Sequence, residues 1–281
     1  MITDIRLAGQ QLAAPRFDTP KKLVSWMGAI QAQDYAMARW AVGIRLKSAT
    51  ARSVGEAFSR GEILRTHVMR PTWHLVAAED IRWMLKLSAR RIRSANESLA
   101  KGRQLELTEQ LHYRCDRLLE KMLEGNRNLT KQQIGEELNR QGIAADTPRL
   151  TRLLMRAETE AVVCSGPFSG GKQTYALLEE RVPPVPELHP DEALAKLATA
   201  YFRSHSPASM QDFVWWSGLS VTEARHSVGL IGRSLTAERF GQRELFVHES
   251  CRAAETSGVP LYLLPAYDEY LMPALATSAA L

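Results

Sequence analysis

The chain has 281 residues, 45% hydrophobic and 24% charged, which excludes a disordered or fibrous protein and leaves room for two or three domains. No apolar run approaches the ~20 residues of a membrane helix, and the start, MITDIRLAGQQL, lacks the charged and then apolar profile of a secretory leader. The net charge of +5 is concentrated in the middle, with 16 Lys+Arg against 9 Asp+Glu between Arg82 and Arg156, as expected of a face that follows a polyanion and equally of solvated amphipathic helices.

In chain order, Thr19-Pro20 opens a helix predicted to run through Leu23, Val24, Met27 and Ile30. The segment Gly28-Ala29-Ile30-Gln31-Ala32-Gln33-Asp34-Tyr35 follows it. Ser53 to Phe58 reads as a short helix. Ile63 to Met69 and Trp73 to Val76 read as two strands interrupted by Pro71. Helix resumes from Ala77 to Arg93, with Ile81, Met84, Leu85 and Ile92 on its apolar side. The clearest repeat unit comes next. Thr130 caps Lys131 to Leu138, Gly142 stops that helix, and Asp146 or Thr147 caps the next one ahead of Pro148. Leu150, Leu153, Leu154 and Ala157 face inward, and Arg149, Arg152 and Arg156 share an outer face. Ala161 to Cys164 and Gln173 to Leu177 form a hairpin around Gly170-Gly171. Helix, turn, helix and hairpin make a winged helix, whose second helix suits a major groove.

Val182-Pro183-Pro184-Val185-Pro186-Glu187-Leu188-His189-Pro190 reads as an extended linker, because four prolines resist both helix and pairing. Beyond it, Leu194 to Phe202, Met210 to Trp216 and Ser220 to Ala224 are helical, while Leu245 to His248 and Tyr262 to Leu264 read as strands. The predicted fold is mostly α with small β wings (α+β), built from tandem winged-helix modules. Their predicted bounds are 1–100 and 101–181, then a linker at 182–190 and a third module at 191–281.

The chemistry-bearing residues cluster early. Gln31 and Gln33 are two apart. In a regular helix they would diverge by about 200°, so a shared direction requires extended or irregular backbone. Their alternative is a pair of solvated amides. Arg65, His67, Arg70 and His74 fit phosphate contact or a polar network that pins the wing. Trp73 and Trp83 are expected in the core. Arg149, Arg152, Arg156 and Lys172 fit phosphate contact in a winged helix, or a solvated face. Cys115, Cys164 and Cys251 have no CxxC or Cys/His spacing, so no disulfide framework, zinc site or iron–sulfur cluster is expected. Asp268, Glu269 and Tyr270 lack a nearby His or third carboxylate in sequence and are expected to be structural. Gly166 to Gly171 lacks the Gly-Lys-Ser/Thr of a P-loop.

GAIQAQDY, RTHVMRPTWHLVAAEDIRWML, DFVWWSGLS and LLPAYDEYL together resemble the AlkZ-like winged-helix DNA glycosylases over nearly the whole chain. The resemblance implies three winged-helix modules in a C-shaped scaffold around duplex DNA. It also implies hydrolysis of the N-glycosidic bond of N7- or N3-alkylated purines, with interstrand crosslinks unhooked by some members. The Gln-apolar-Gln signature of the AlkZ branch falls on Gln31, Ala32 and Gln33; the YcaQ branch carries Gln-x-Asp, and Asp34 lies one place too late for it. The implied enzyme is a monofunctional glycosylase. It has no metal or cofactor, binds double-stranded DNA without a membrane, and is expected to be monomeric, cytoplasmic and nucleoid-associated. The motifs contain no lysine, so neither a Schiff base nor strand cleavage is expected.

The segment from Met272 to Leu281 departs from the Lys-Asp-Arg continuation of the relatives, so the third module is expected to be truncated or divergent. A non-catalytic winged-helix DNA-binding protein, such as a transcriptional regulator, is the alternative. It predicts sequence-selective binding without base release. A resistance protein that sequesters a DNA-damaging metabolite is the third possibility.

Overall fold

A computed structural model describes residues 2–251 and 261–272. About half of the chain is helical. The chain runs α1 (Ile2–Gly9), α2 (Pro20–Met27), β1 (Ile30–Gln31), α3 (Tyr35–Gly43), α4 (Ala51–Ser59), β2 (Ile63–His67) and β3 (Trp73–Ala77). It continues with α5 (Ile81–Gly102), α6 (Glu109–Leu123), β4 (Leu129–Thr130), α7 (Lys131–Arg140), α8 (Thr147–Thr159), β5 (Val163–Ser165) and β6 (Thr174–Leu177). Last come α9 (Leu178–Arg181), α10 (Pro190–His205), α11 (Met210–Ser217), α12 (Val221–Leu230), β7 (Leu235–Phe240) and β8 (Arg243–His248). No helix among the described residues is long and apolar enough to cross a membrane.

These elements fall into two compact units that do not follow chain order. One comprises residues 1–57, 74–77 and 188–281, the other residues 58–73 and 78–187.

In the first unit, Thr19 caps α2 by accepting from the Lys22 amide, and Pro20 sits in the first turn. The helix ends at Met27, earlier than the apolar spacing through Ile30 predicts. Gly28 adopts φ +80°, and the chain turns directly into β1. Ile30 thereby leaves the helix and pairs antiparallel with Leu75, while Gln31 pairs with His74. The core beneath this turn is aromatic. Tyr201 and Phe202 of α10 meet Phe213 and Trp216 of α11, with Tyr201 centroids 5.2 and 5.0 Å from Phe213 and Trp216. All four rings are at most 1% exposed. Each contributes about 1.5–3 kcal/mol by burial.

A Cβ on Gly28 would stand 2.9 Å from the Cβ of Ala200 and 3.5 Å from Trp216. The positive φ adds backbone strain for any L side chain. Gly28→Ala is expected to cost about 2 kcal/mol in urea denaturation, and an unchanged midpoint would show that the α2–α10 approach is looser than this.

Of the two strands expected near the end, the one at Leu245 to His248 forms within β8. Tyr262 to Leu264 carry no regular structure. The partner of β8 is β7, through Phe240↔Arg243 and on to Leu235↔His248, with Gly241 at φ +63° in the turn. Four of the six β7 residues are exposed, so its sequence shows no apolar alternation to announce a strand.

In the second unit, the winged-helix elements form as predicted. Asp146 is the cap of α8, accepting from the Arg149 amide. Thr130 and Gln133 close a capping box on α7. A Cβ on Gly135 would sit 2.9 Å from Leu150 Cδ2, which shows how closely α7 and α8 approach. The strand order is β4-β6-β5, all antiparallel, with Cys164 opposite Ala176 and Leu129 opposite Tyr175. Leu119, Ile134, Leu138, Leu153, Ala157 and Val163 fill the core beneath. Helix α5 runs on to Gly102, past the predicted end at Arg93, and Asn96 donates to the Arg152 carbonyl from that extension. Residues 183–189, the proline-rich stretch, carry no regular structure, and Pro190 opens α10. The tail from Pro273 to Leu281 lies outside the described residues.

Candidate functional site

The glutamine pair sits where β1 gives way to α3. Gln31 ends the strand and is 8% exposed, Ala32 is fully buried, and Gln33 is exposed. This is the non-helical backbone that two directionally related side chains at spacing two require. Asp34, next in line, is committed elsewhere: its Oδ1 accepts from the amides of Ala36 (2.8 Å) and Met37 (3.1 Å) as the N-cap of α3.

The side-chain Oε1 of Gln31 is buried and accepts no hydrogen bond. An orphaned amide oxygen costs about 1–3 kcal/mol unless something donates to it. The backbone around it is tightly held. Gln31 N–H donates to Glu269 Oε1 at 2.6 Å, and Trp216 Nε1 donates to Glu269 Oε2 at 2.9 Å. His205 Nε2 lies 3.4 Å from the same oxygen. The His205 ring stacks on Tyr201 at 4.6 Å and 13°, and its Nδ1 faces Ser204 Oγ and the Tyr201 carbonyl.

Glu269 is 2% exposed. Burial alone pushes its carboxyl up. The hydrogen bond and positive charge of His205, the Gln31 amide and the charge of His74 outweigh this and bring it down from 4.5 to about 2. A carboxyl depressed on folding stabilises the fold above its unfolded value, and that contribution disappears as pH falls toward the folded value. Unfolding free energy is therefore expected to drop by a few kcal/mol between about pH 4.5 and pH 2. Glu269→Gln should flatten that drop in urea titrations at pH 6, 4 and 3; equal slopes for the two proteins would contradict the assignment.

The adjacent Asp268 is pinned as firmly. Arg45 Nη2 and Nη1 donate to its two oxygens at 2.6 and 2.8 Å, and Arg45 also donates to Gln10 Oε1 and the Ala41 carbonyl. Gln10 in turn donates to the Glu269 carbonyl. Asp268 is thus committed to Arg45, and Glu269 to the backbone amide of Gln31 and the indole of Trp216. The sequence spacing concealed His205 as the partner of Glu269, because the two lie on separate elements. Trp216 and Glu269 stand inside the motif strings DFVWWSGLS and LLPAYDEYL without any sign that they would meet.

The remaining sequence candidates divide between the units. His74 is fully buried opposite Gln31 in the first unit. It is thereby paired across the strands with Gln31 of the glutamine motif. In the second unit, Arg65 and His67 do share a face of β2, and both lie against Trp73. The Arg65 guanidinium sits 4.4 Å from the Trp73 ring, and the His67 ring is 3.9 Å away. Arg65 donates to Gln173 Oε1 at 2.5 Å. His67 is 6% exposed and pairs with Glu158 at 2.5 Å, so its environment is the polar network that pins the wing. Arg70 is half-buried in the β2–β3 connection. Arg156 is 8% exposed, paired with both oxygens of Glu109 and with Glu160, because its position on α8 points at α6. Arg149 and Arg152 are half-buried and Lys172 is exposed in the β5–β6 turn. Trp83 is in the core and donates to Asp80; Trp73 is only partly buried.

A groove of about 610 Å³ runs between the N-terminal turns of α7 and α8 and the wing, lined by Lys131, Gln132, Thr147, Lys172 and Gln173. Its lining also includes Glu136, so two lysines stand against one carboxylate and the groove is positive by one charge. A larger concavity of about 920 Å³ along α6 mixes Arg114, Arg117 and Lys121 with Glu120, Glu179 and Glu180, and this mixed charge favours no anion. Cys115 and Cys164 are buried thiols pushed up to about 12 by burial, and Cys251 is free and partly buried. No group of three or more His, Cys, Asp or Glu among the described residues could hold a metal ion.

Residues 24–280 match the family described as DNA glycosylase AlkZ-like. An interstrand DNA cross-link repair glycosylase of Streptomyces sahachiroi is 26% identical over 287 aligned residues, covering 94% of this chain and 74% of the relative. The solved structure of Streptomyces sahachiroi DNA glycosylase AlkZ superimposes with a TM-score of 0.66 at 22% identity, covering 88% of this chain and 68% of that one.

Proposed function

The chain belongs to the AlkZ-like DNA glycosylase family, and from this we propose that Gln31 and Gln33 position the water that removes cationic N7- or N3-alkylated purines from duplex DNA. The family and the Streptomyces relative are DNA glycosylases, enzymes that hydrolyse N-glycosidic bonds, and DNA is the substrate. The lesion class follows from the chemistry of two neutral amides. Glycoside hydrolysis ordinarily needs an acid on the leaving group and a base at the sugar. A purine alkylated at N7 or N3 already carries positive charge. The C1′–N bond breaks with its electron pair passing to the base, which leaves neutral. Water adds to C1′ and releases its proton to solvent. A carboxamide oxygen can accept a hydrogen bond from that water and orient it, but it is too weak a base to drive loss of an unmodified purine.

The observation that carries this proposal is the buried Oε1 of Gln31, left without a donor two residues from the exposed Gln33. A crosslink joined through purine N7 bears the same charge, so its unhooking falls within the same chemistry. Phosphate contact is assigned to Arg149, Arg152 and Lys172, the last beside the α7–α8 groove. The protein acts as a monomer.

A duplex bearing one 7-methylguanine tests the proposal. The wild-type protein should release free base and leave an abasic site that breaks only on alkaline treatment. Borohydride should trap no protein–DNA adduct. Sequence-selective binding with no base release would instead support a transcriptional regulator.

A further inference from the structure

We propose that Glu269 is a positioning residue for base removal: its carboxylate holds the open-edge amide of Gln31 and so aims the Gln31 side chain at the reacting sugar. This rests on the glutamine reading above and adds a group that the Gln-Ala-Gln motif does not contain. Strand β1 is only two residues long and is paired with β3. A strand so short has little register of its own, and the amide of its last residue needs an acceptor. Glu269 supplies one from 238 positions further along the chain, at 2.6 Å. The carboxylate is 2% exposed, and an enclosed charge is costly before compensation. A neutral glutamine at position 269 would avoid that cost but could not do the same work. Glu269 accepts from two donors on separate oxygens, Gln31 N–H and Trp216 Nε1–H, and also faces His205. A carboxamide has one oxygen, so one of the two donors would meet an NH2 group. Only a carboxylate holds Gln31 and Trp216 together, while the Gln31 Oε1 accepts no hydrogen bond from the protein.

The two-donor geometry allows a rescue experiment. Glu269→Gln should slow single-turnover release of 7-methylguanine by about 10- to 100-fold, the scale of a misplaced reacting group, with duplex affinity within about threefold of wild type. Trp216→Phe removes the competing donor. In Glu269→Gln/Trp216→Phe the carboxamide oxygen is free to turn to Gln31 N–H, and the rate should recover at least about fivefold over Glu269→Gln, although thermal stability falls further. A merely structural role predicts the reverse, with the double variant slower because it is less stable. If Glu269→Gln does not fold, the comparison is between Glu269→Gln/Trp216→Phe and Glu269→Leu/Trp216→Phe, which differ in whether the Gln31 amide has an acceptor. Equal rates in that pair, or no recovery in the first, overturn the proposal. Gln33→Ala run on the same duplex separates the two ideas. If Gln33→Ala abolishes release and Glu269→Gln leaves it intact, the positioning role fails and the glutamine reading stands. If neither variant slows release, the glutamine reading fails as well.

Discussion

Gln33→Ala is expected to lower single-turnover base release from 7-methylguanine duplex by about 100-fold or more, while duplex affinity changes less than about threefold. Water-positioning and proton-handling groups typically contribute 10²–10⁴-fold to such steps. Gln33 suits the test because it is exposed, so removing its amide leaves no cavity in the fold. The same substitution at Gln31 is less clean. That side chain is 8% exposed and its loss opens space next to Ala32 and β3, so a slower rate would mix chemistry with destabilisation of about 1–3 kcal/mol. Gln33→Asp, which keeps an acceptor for water, should retain most of the rate. A Gln33→Ala enzyme as fast as wild type would remove Gln33 from the reaction.

Arg45→Ala is expected to destabilise the protein by about 3–5 kcal/mol, the cost of leaving one partner of a buried ion pair alone. Both Arg45 and Asp268 are almost entirely enclosed, and Arg45 also satisfies Gln10 Oε1 and the Ala41 carbonyl. At this chain length the loss corresponds to a melting-point drop of about 10 °C. The double variant Arg45→Met/Asp268→Leu should lie closer to wild type than Arg45→Ala, since replacing the whole pair removes the stranded charge. Base release should fall with Arg45→Ala as well, because the turn that Asp268 anchors carries Glu269 into hydrogen-bond range of Gln31. A melting point within 2 °C of wild type, in the order-of-magnitude scale above, would show that the 268–270 turn does not depend on the pair.

Much of the local structure was legible in the residues. The caps at Thr19, Thr130 and Asp146, the turn at Gly170-Gly171 and the apolar stripe of α8 all follow from contacts three or four positions apart. The places where the sequence misled are those where local pattern and tertiary context disagree. Ile30 continues the apolar spacing of α2, but Gly28 turns the chain beneath Ala200 and Trp216 before the helix reaches it. β7 is a mostly exposed strand, held by pairing with β8 and not by burial. Arg156 lies on the same sequence stripe as Arg149 and Arg152, but the packing of α8 against α6 brings it to Glu109.

By itself, the order of residues determined the helix-and-wing architecture, the proline-rich break and the non-helical setting of Gln31 and Gln33, because caps, turns and side-chain periodicity act over a few neighbouring residues. Only the folded chain decided that His74 pairs across the strands with Gln31 while His67 pairs with Glu158, and that Glu269, His205 and Trp216 converge behind Gln31. Separation along a chain carries no distance information once the chain is compact. A carboxylate placed 238 residues away becomes a neighbour through the packing of the aromatic core and the Arg45–Asp268 clamp.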